Sequence, residues 1–139
     1  MSTYGLPAEI TAQTLFDKAV VHLFEQGHPA YVHRDGKKTS TCAYRGGGTT
    51  ACAVGCLIPD DRYVPEMEES TVEDEIIRNI MPELQPFETM LYDVQNVHDV
   101  AVLRNTDGTF DRGSLAGNLL IVAEKHGLNR SVIDAQTVA

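Results

Sequence analysis

Apolar residues recur at helical spacing in the first part of the chain, between Ile10 and Gln26. Thr11 stands where a helix N-cap is expected, and Gly27 stands at the position that usually ends a helix. The pattern therefore predicts a first helix over Ile10 to Gln26. Its buried stripe comprises Leu15, Phe16, Ala19, Val20, Leu23 and Phe24.

Two further helices are indicated in the middle of the chain. Ser70 or Thr71, followed three residues later by an acid, forms a capping-box pattern that opens a short helix ending at Pro82. A longer apolar stripe runs from Pro86 to about Arg104 and predicts a second helix, with Pro86 in its first turn.

The last helical pattern extends from Asp111 to His126. Gly127 is placed to end this helix, and Leu128 is placed for the hydrophobic contact of a Schellman motif. Gly113 and Gly117 weaken the helix by about 1 kcal/mol each relative to alanine. We therefore expect another element to approach the helix closely at these two glycines.

Strand patterns lie between the first two helices. Ala30 to Arg34 and Thr39 to Arg45 read as strands joined by an Asp35-Gly36 turn. If the chain also folds back across the glycines at 46–48, Cys42 faces Cys52 in an antiparallel pair. Residues 52–57 fit either a strand or a helical turn, and the small residues there favour the helical turn.

These elements predict an α+β fold, with four or five helices packed on a small two- or three-stranded antiparallel sheet. Residues 1–128 are expected to form a single domain, because 139 residues suffice for one core. Residues 129–139 show little periodicity, and we expect them to form a loosely held tail.

The charge of the chain is concentrated in one third of its length. The net charge is −9, and residues 60–99 hold twelve of the twenty acidic side chains with only two arginines. A nucleic-acid backbone requires a basic face, so direct nucleic-acid binding is disfavoured. No apolar run approaches the length of a membrane span, and no signal segment is apparent; we expect a cytoplasmic protein with reduced cysteines.

Three segments resemble a group of small, uncharacterised proteins encoded by bacteriophages and prophages: CAYRG, CAVGCLIPDD and VQNVHD. Proteins of that group carry a YRG turn, a Cys-Ala-x-Gly-x-Leu-Ile-Pro-Asp segment and a Gln-x-x-His-Asp segment. This chain departs from them in its loop at residues 46–51, which lacks the lysine that often precedes the second cysteine. The resemblance implies a phage or bacterial origin, a bacterial host cell as the location and a small α+β domain, but no settled activity.

One hypothesis makes the protein a cysteine hydrolase, in which Cys52 is the nucleophile and His98 the base. A nearby imidazole and a helix N-terminus would both lower the pKa of the thiol. Asp99 is adjacent to His98, and on an α-helix it would point about 100° away from it, so we do not expect it to orient the ring. The alternative is that His98 is a buried core residue and that the cysteines are small apolar core residues.

A second hypothesis is a structural zinc site formed by Cys42, Cys52, Cys56 and His98. Its spacing matches no known zinc signature. We therefore predict no bound metal, and no cofactor is indicated.

The favoured hypothesis is a small acidic accessory protein that binds a macromolecule through an acidic face. That partner would be a protein, and it could be a basic nucleic-acid-binding protein of the host, whose association the acidic charge would steer. Solvation of a charged surface is the ordinary alternative. The predicted binding residues are Glu66, Glu68, Glu69, Glu73 and Asp74.

Overall fold

The computed structural model describes residues 4–34, 37–46 and 50–137, and for residues 32–34 and 37–42 it describes the backbone only. Shorter 3₁₀ turns and one π-helical turn connect the longer helices. The helices are α1 (Ala12–Gln26), α2 (Glu75–Ile80), α3 (Glu88–Asn96), α4 (Arg112–Lys125) and α5 (Ser131–Thr137). The short turns are Gly55–Leu57, Pro65–Met67, Pro82–Phe87 and, in π form, Val97–Ala101.

The first helix has the caps that its sequence predicts and ends at Gln26 as predicted, but it begins at Ala12, two residues after the predicted start. The Thr11 side chain accepts a hydrogen bond from the backbone N–H of Thr14 at 3.0 Å, and Thr14 returns one to the Thr11 backbone at 2.9 Å. At the other end Gly27 adopts a left-handed conformation with φ of 74°. All six residues of the predicted stripe are buried.

The fourth helix also ends as predicted, in a Schellman motif. The backbone N–H of Leu128 donates to the carbonyl of Ala123 at 2.8 Å, and that of Gly127 donates to Glu124 at 3.3 Å. The expected close approach of another element at Gly113 and Gly117 is wrong. An added Cβ at Gly113 would meet only Oδ1 of Asp111, the N-cap residue of the same helix, at 3.4 Å, and one at Gly117 would meet nothing within 4 Å.

The predicted α+β fold, and with it the description of the protein as α+β, is wrong. Helices make up 57% of the part of the chain whose side chains are placed, and no sheet forms there. Two backbone strands, β1 (Tyr31–Arg34) and β2 (Lys37–Cys42), pair with each other as an antiparallel hairpin, and the described residues add no further strand to it. The core lies instead between the helices and the buried segment 51–58.

The second arm of the expected glycine hairpin does not become a strand. Cys42 lies opposite Tyr31 in the backbone register, and the backbone N–H of Cys56 donates to the carbonyl of Cys52 at 3.1 Å, as in a helical turn. The predicted pairing of Cys42 with Cys52 as opposed strand residues is therefore wrong, while the preference for a helical turn at 52–57 is confirmed. The side chain of Cys42 lies outside the described side chains.

Residues 131–137, expected to lie in a loose tail, form helix α5. Ile133 is buried on this helix, and α5 packs against α1 and α4. Gln13 of α1 fixes the preceding turn, because its Oε1 accepts the backbone N–H of Asn129 at 2.7 Å. Burial of Ile133 and this hydrogen bond together account for a helix that the sequence periodicity did not indicate.

A buried segment held by side chains borders a candidate binding cavity

The structure is organised around segment 51–58, in which every residue is buried. A buried backbone outside regular structure must find hydrogen-bond partners elsewhere. Two residues of α1 supply them at one end: Gln26 accepts the N–H of Ala51 at 2.9 Å, and His22 Nε2 donates to the Ala51 carbonyl at 2.7 Å. From α3, Gln95 Oε1 accepts the N–H of Val54 at 3.0 Å.

Arg45 holds the other end of the segment. Its guanidinium donates to the carbonyl of Gly55 at 2.6 Å and to that of Ile58 at 2.5 Å. The rings of Tyr4 and Tyr63 lie 4.6 Å and 5.1 Å from its central carbon. The planar fork of an arginine suits this double contact in a way that a lysine would not.

Glu68 fixes the backbone that carries this arginine. Its carboxylate accepts the backbone N–H of Tyr44 at 2.9 Å and that of Arg45 at 3.1 Å, together with the hydroxyl of Tyr63 at 2.5 Å. Burial, followed by the bond to Glu68, raises the pKa of Tyr63. Of the five predicted binding residues, Glu68 is thus turned toward the interior, where it positions the CAYRG segment.

The other four predicted binding residues lie at the surface. Glu66, Glu69, Glu73 and Asp74 are all exposed. Glu69 has a φ of 68°, and it is the only non-glycine residue among those described with a positive φ. Asp74 is the N-cap residue of α2, and its carboxylate accepts the backbone N–H of Thr71 at 2.7 Å.

A cavity of about 440 Å³ opens beside the buried segment. Its walls come from three places: residues 43–44 with Cys52, residues 69–72, and the outward face of α3 with the π-helical turn. The last of these walls carries the polar groups Gln95, Asn96 and Asp99. The cavity therefore joins the acidic stretch at residue 69 to the Gln-x-x-His-Asp segment.

Cys52 lies at the wall of this cavity and is 2% exposed. Its Sγ accepts the backbone N–H of Gly55 at 3.2 Å. Burial raises the pKa of the Cys52 thiol well above its usual value, and the charge of Asp99 raises it further. The thiol form, which is a poor nucleophile, is thereby favoured.

His98 is fully buried, as predicted for a core histidine. Its Nε2 accepts the backbone N–H of Ala30 at 3.0 Å, so the proton is on Nδ1, which donates to Asp99 Oδ1 at 2.6 Å. The expectation that Asp99 could not orient this ring is wrong, because the turn at 97–101 is π-helical rather than α-helical. Both ring nitrogens are engaged, and the described contacts include no hydrogen bond between His98 and Cys52.

The described residues do not support the zinc hypothesis. Among them, no group of three or more histidine, cysteine, aspartate or glutamate side chains is arranged to hold a metal ion. The side chain of Cys42, one of the four proposed ligands, lies outside the described part.

Sequence reasoning did not single out the residues that hold segment 51–58. Gln26, His22 and Gln95 stand on or beside apolar helix faces, where a polar side chain with amide or imidazole groups often bonds a buried backbone. Arg45 ends the predicted strand Thr39 to Arg45, and that pattern does not indicate its bonds to the carbonyls of Gly55 and Ile58. Of these residues only His22 has apolar neighbours on both sides in the sequence, Val21 and Leu23, so the other three give no clear local signal.

Comparison with known proteins found no family model, no curated protein and no solved structure that matches this chain. Within the described residues, no helix is both long enough and apolar enough to cross a membrane. The resemblance to phage-encoded proteins thus stays a prediction.

Proposed function

We propose that this protein is a binding module that docks a basic protein partner on its acidic face, defined here as Glu66, Glu73, Asp74 and Glu75. The observation that supports this is that all four side chains are exposed and that none forms an ion pair among the described residues. The turn Pro65–Met67 packs against α2, so the two ends of this stretch lie together.

The acidic face differs in its ion pairing from other acidic residues between positions 60 and 99. Glu83 is paired with Arg62 at 2.8 Å, and Glu88 with Arg78 at 2.6 Å. Asp93 is paired with Lys125 at 2.9 Å. Those charges are neutralised within the molecule, whereas the charge of the acidic face is available to steer a basic partner. A host nucleic-acid-binding protein, whose basic surface suits this charge, is the partner class we propose.

A hydrolase is not proposed. Both nitrogens of His98 are already bonded, and burial raises the pKa of Cys52, so the arrangement offers neither a free base nor a ready thiolate.

The test compares two variants with the same loss of charge. Glu66→Gln, Glu73→Gln and Glu75→Gln together remove three charges from the acidic face. The control variant carries Glu9→Gln, Glu25→Gln and Glu124→Gln, which are also exposed but lie on other parts of the surface. The probe is a fluorescent peptide of alternating lysine and serine, and fluorescence anisotropy at low salt gives the Kd.

The triple variant of the acidic face should raise the Kd of the lysine–serine peptide about tenfold, since three exposed charge contacts are lost. The control variant should raise this Kd only about twofold. The same peptide with acetylated lysines should not bind. Equal increases in the two variants would mean that net charge alone attracts the peptide, and the proposal would be rejected.

A further inference from the structure

The cavity beside Cys52 has the size and the lining of a ligand site. Its volume of about 440 Å³ falls in the range of roughly 300–1,000 Å³ that is usual for such sites. Apolar and aromatic surface dominates the walls, contributed by Ala43, Tyr44, Val72, Tyr92 and Val100. Tyr92 is 45% exposed and Val100 74% exposed, so the cavity is open to solvent on the side of α3.

The polar part of the cavity carries negative charge. Asp99 lines it, with a side chain that is 32% exposed. Oδ1 of this carboxylate accepts hydrogen bonds from His98 at 2.6 Å and from Gln95 at 2.6 Å. The described residues donate no hydrogen bond to Oδ2, and among the described side chains no lysine, arginine or histidine lines the cavity. One carboxylate oxygen is therefore held in place and the other remains to accept a donor.

Gln95 connects the Asp99 carboxylate to the backbone of the buried segment 51–58. Its Nε2 donates to Asp99, while its Oε1 accepts the backbone N–H of Val54 in the buried segment. His98 is fixed in the same way by Ala30. Both donors to Asp99 are thus themselves bonded to the backbone, and this prepositions the carboxylate for a ligand.

Apolar walls beside a carboxylate held by two hydrogen bonds match one common chemical form, a long aliphatic stem with a cationic head. Arginine and lysine side chains have this form, and tyrosine rings also attract a cation. An anionic ligand would meet the charge of Asp99, and no cation among the described side chains that line the cavity would balance it.

We infer that this cavity receives a single arginine or lysine side chain of the partner protein, with its cation on Asp99 and its stem along Tyr92 and Val100. This inference rests on the proposed function, since it names the anchor of the same partner. The acidic face would attract the partner, and the cavity would hold one of its side chains.

The test uses a short neutral-ended peptide of glycine and serine that contains one arginine. Matched peptides contain lysine or citrulline, which has the shape of arginine without its charge. Titration of the ¹⁵N-labelled protein, followed through amide shifts of Tyr92, Gln95 and Val100, should give saturable binding with a Kd on the order of 1 mM for this single contact. Citrulline should bind at least tenfold more weakly.

Asp99→Asn removes the charge but keeps an oxygen for His98, and it should weaken arginine binding at least tenfold. Asp134→Asn, which removes an exposed charge on α5, should leave the Kd unchanged. If Asp99→Asn proves unstable, Val100→Lys serves instead, because residue 100 is exposed and a lysine there should repel or displace the arginine.

Failure of the inference can be separated from failure of the proposed function. The triple glutamine variant of the acidic face leaves the cavity lining intact, and it should change the Kd of the single-arginine peptide by less than about twofold. Equal binding of arginine and citrulline would overturn the cavity site, as would a loss in the triple variant that matches the loss in Asp99→Asn. Neither result would contradict docking of a lysine-rich partner on the acidic face.

Discussion

Gly55 has to be glycine because of the backbone that passes beside it. A Cβ at this position would lie 2.3 Å from the carbonyl oxygen of Tyr44, far inside a normal contact. The absence of a side chain lets the CAYRG segment lie directly against the buried turn. Arg45 can then reach the carbonyls of Gly55 and Ile58.

Substitution of two glycines by alanine should therefore have opposite effects. Gly55→Ala should lower the free energy of unfolding by about 2–3 kcal/mol, because the backbone must shift in a tightly packed region. Gly117→Ala has open space around its Cβ and lies within α4, so it should stabilise the protein by about 1 kcal/mol. Urea denaturation measures both; a stabilising Gly55→Ala would show that the close approach to Tyr44 does not exist.

The positions of Glu68 and Asp99 could not be predicted from neighbouring residues. Glu68 stands in an acidic run that looks solvated, yet its partners are backbone groups of residues 44 and 45, more than twenty positions away. Asp99 orients His98 only because the helix changes to a π-helical turn. The first result depends on a contact between distant parts of the chain and the second on a change of helix type, and neither leaves a local pattern in the sequence.

Among the elements, helices with caps and regular stripes were predictable, whereas the segment between them was not. Thr11, Gly27 and Gly127 mark helix ends by local chemistry, and the structure has helix ends at these positions. Segment 51–58 has no periodic pattern, and its conformation is set by side chains from α1, α3 and Arg45. Segment 51–58 adds no third strand to the β1–β2 hairpin, and those side chains bond its backbone groups instead.

The contact between α1 and the buried segment should make stability depend on pH. His22 donates to the Ala51 carbonyl, and burial lowers its pKa despite that bond. Because the pKa of His22 is lower in the folded protein, the unfolded chain takes up the proton more readily. Neutral His22 therefore contributes its full stabilisation above the pKa of the unfolded chain, about 6.5. This contribution is lost as the pH falls through the pKa of His22 in the folded protein.

The wild-type free energy of unfolding should thus decrease as pH falls below about 6.5, and His22→Gln should flatten this decrease. His28→Gln, at an exposed histidine, should leave the pH dependence as in the wild type. Urea denaturation at a series of pH values makes the comparison. An identical slope in His22→Gln and wild type would contradict the role given to His22.

On the scale of the whole molecule, the acidic charge is divided into two groups. One group is neutralised by arginine, lysine or histidine within the fold, as at Glu83, Glu88 and Asp93. The other is the acidic face, whose four side chains remain exposed beside the cavity that contains Asp99. Composition alone predicted the surplus of acids, but it could not show which of them are paired.

The most direct test of this account is a map of the surface that a basic peptide contacts. Titration of the ¹⁵N-labelled protein with the lysine–serine peptide should shift the amide signals of residues 66–75 together with those of Tyr92, Gln95 and Val100. These changes should follow one binding curve and disappear with acetylated lysines. Shifts spread over α1 and α4, with none at residues 66–75, would contradict the claim that this face and its cavity form the docking surface.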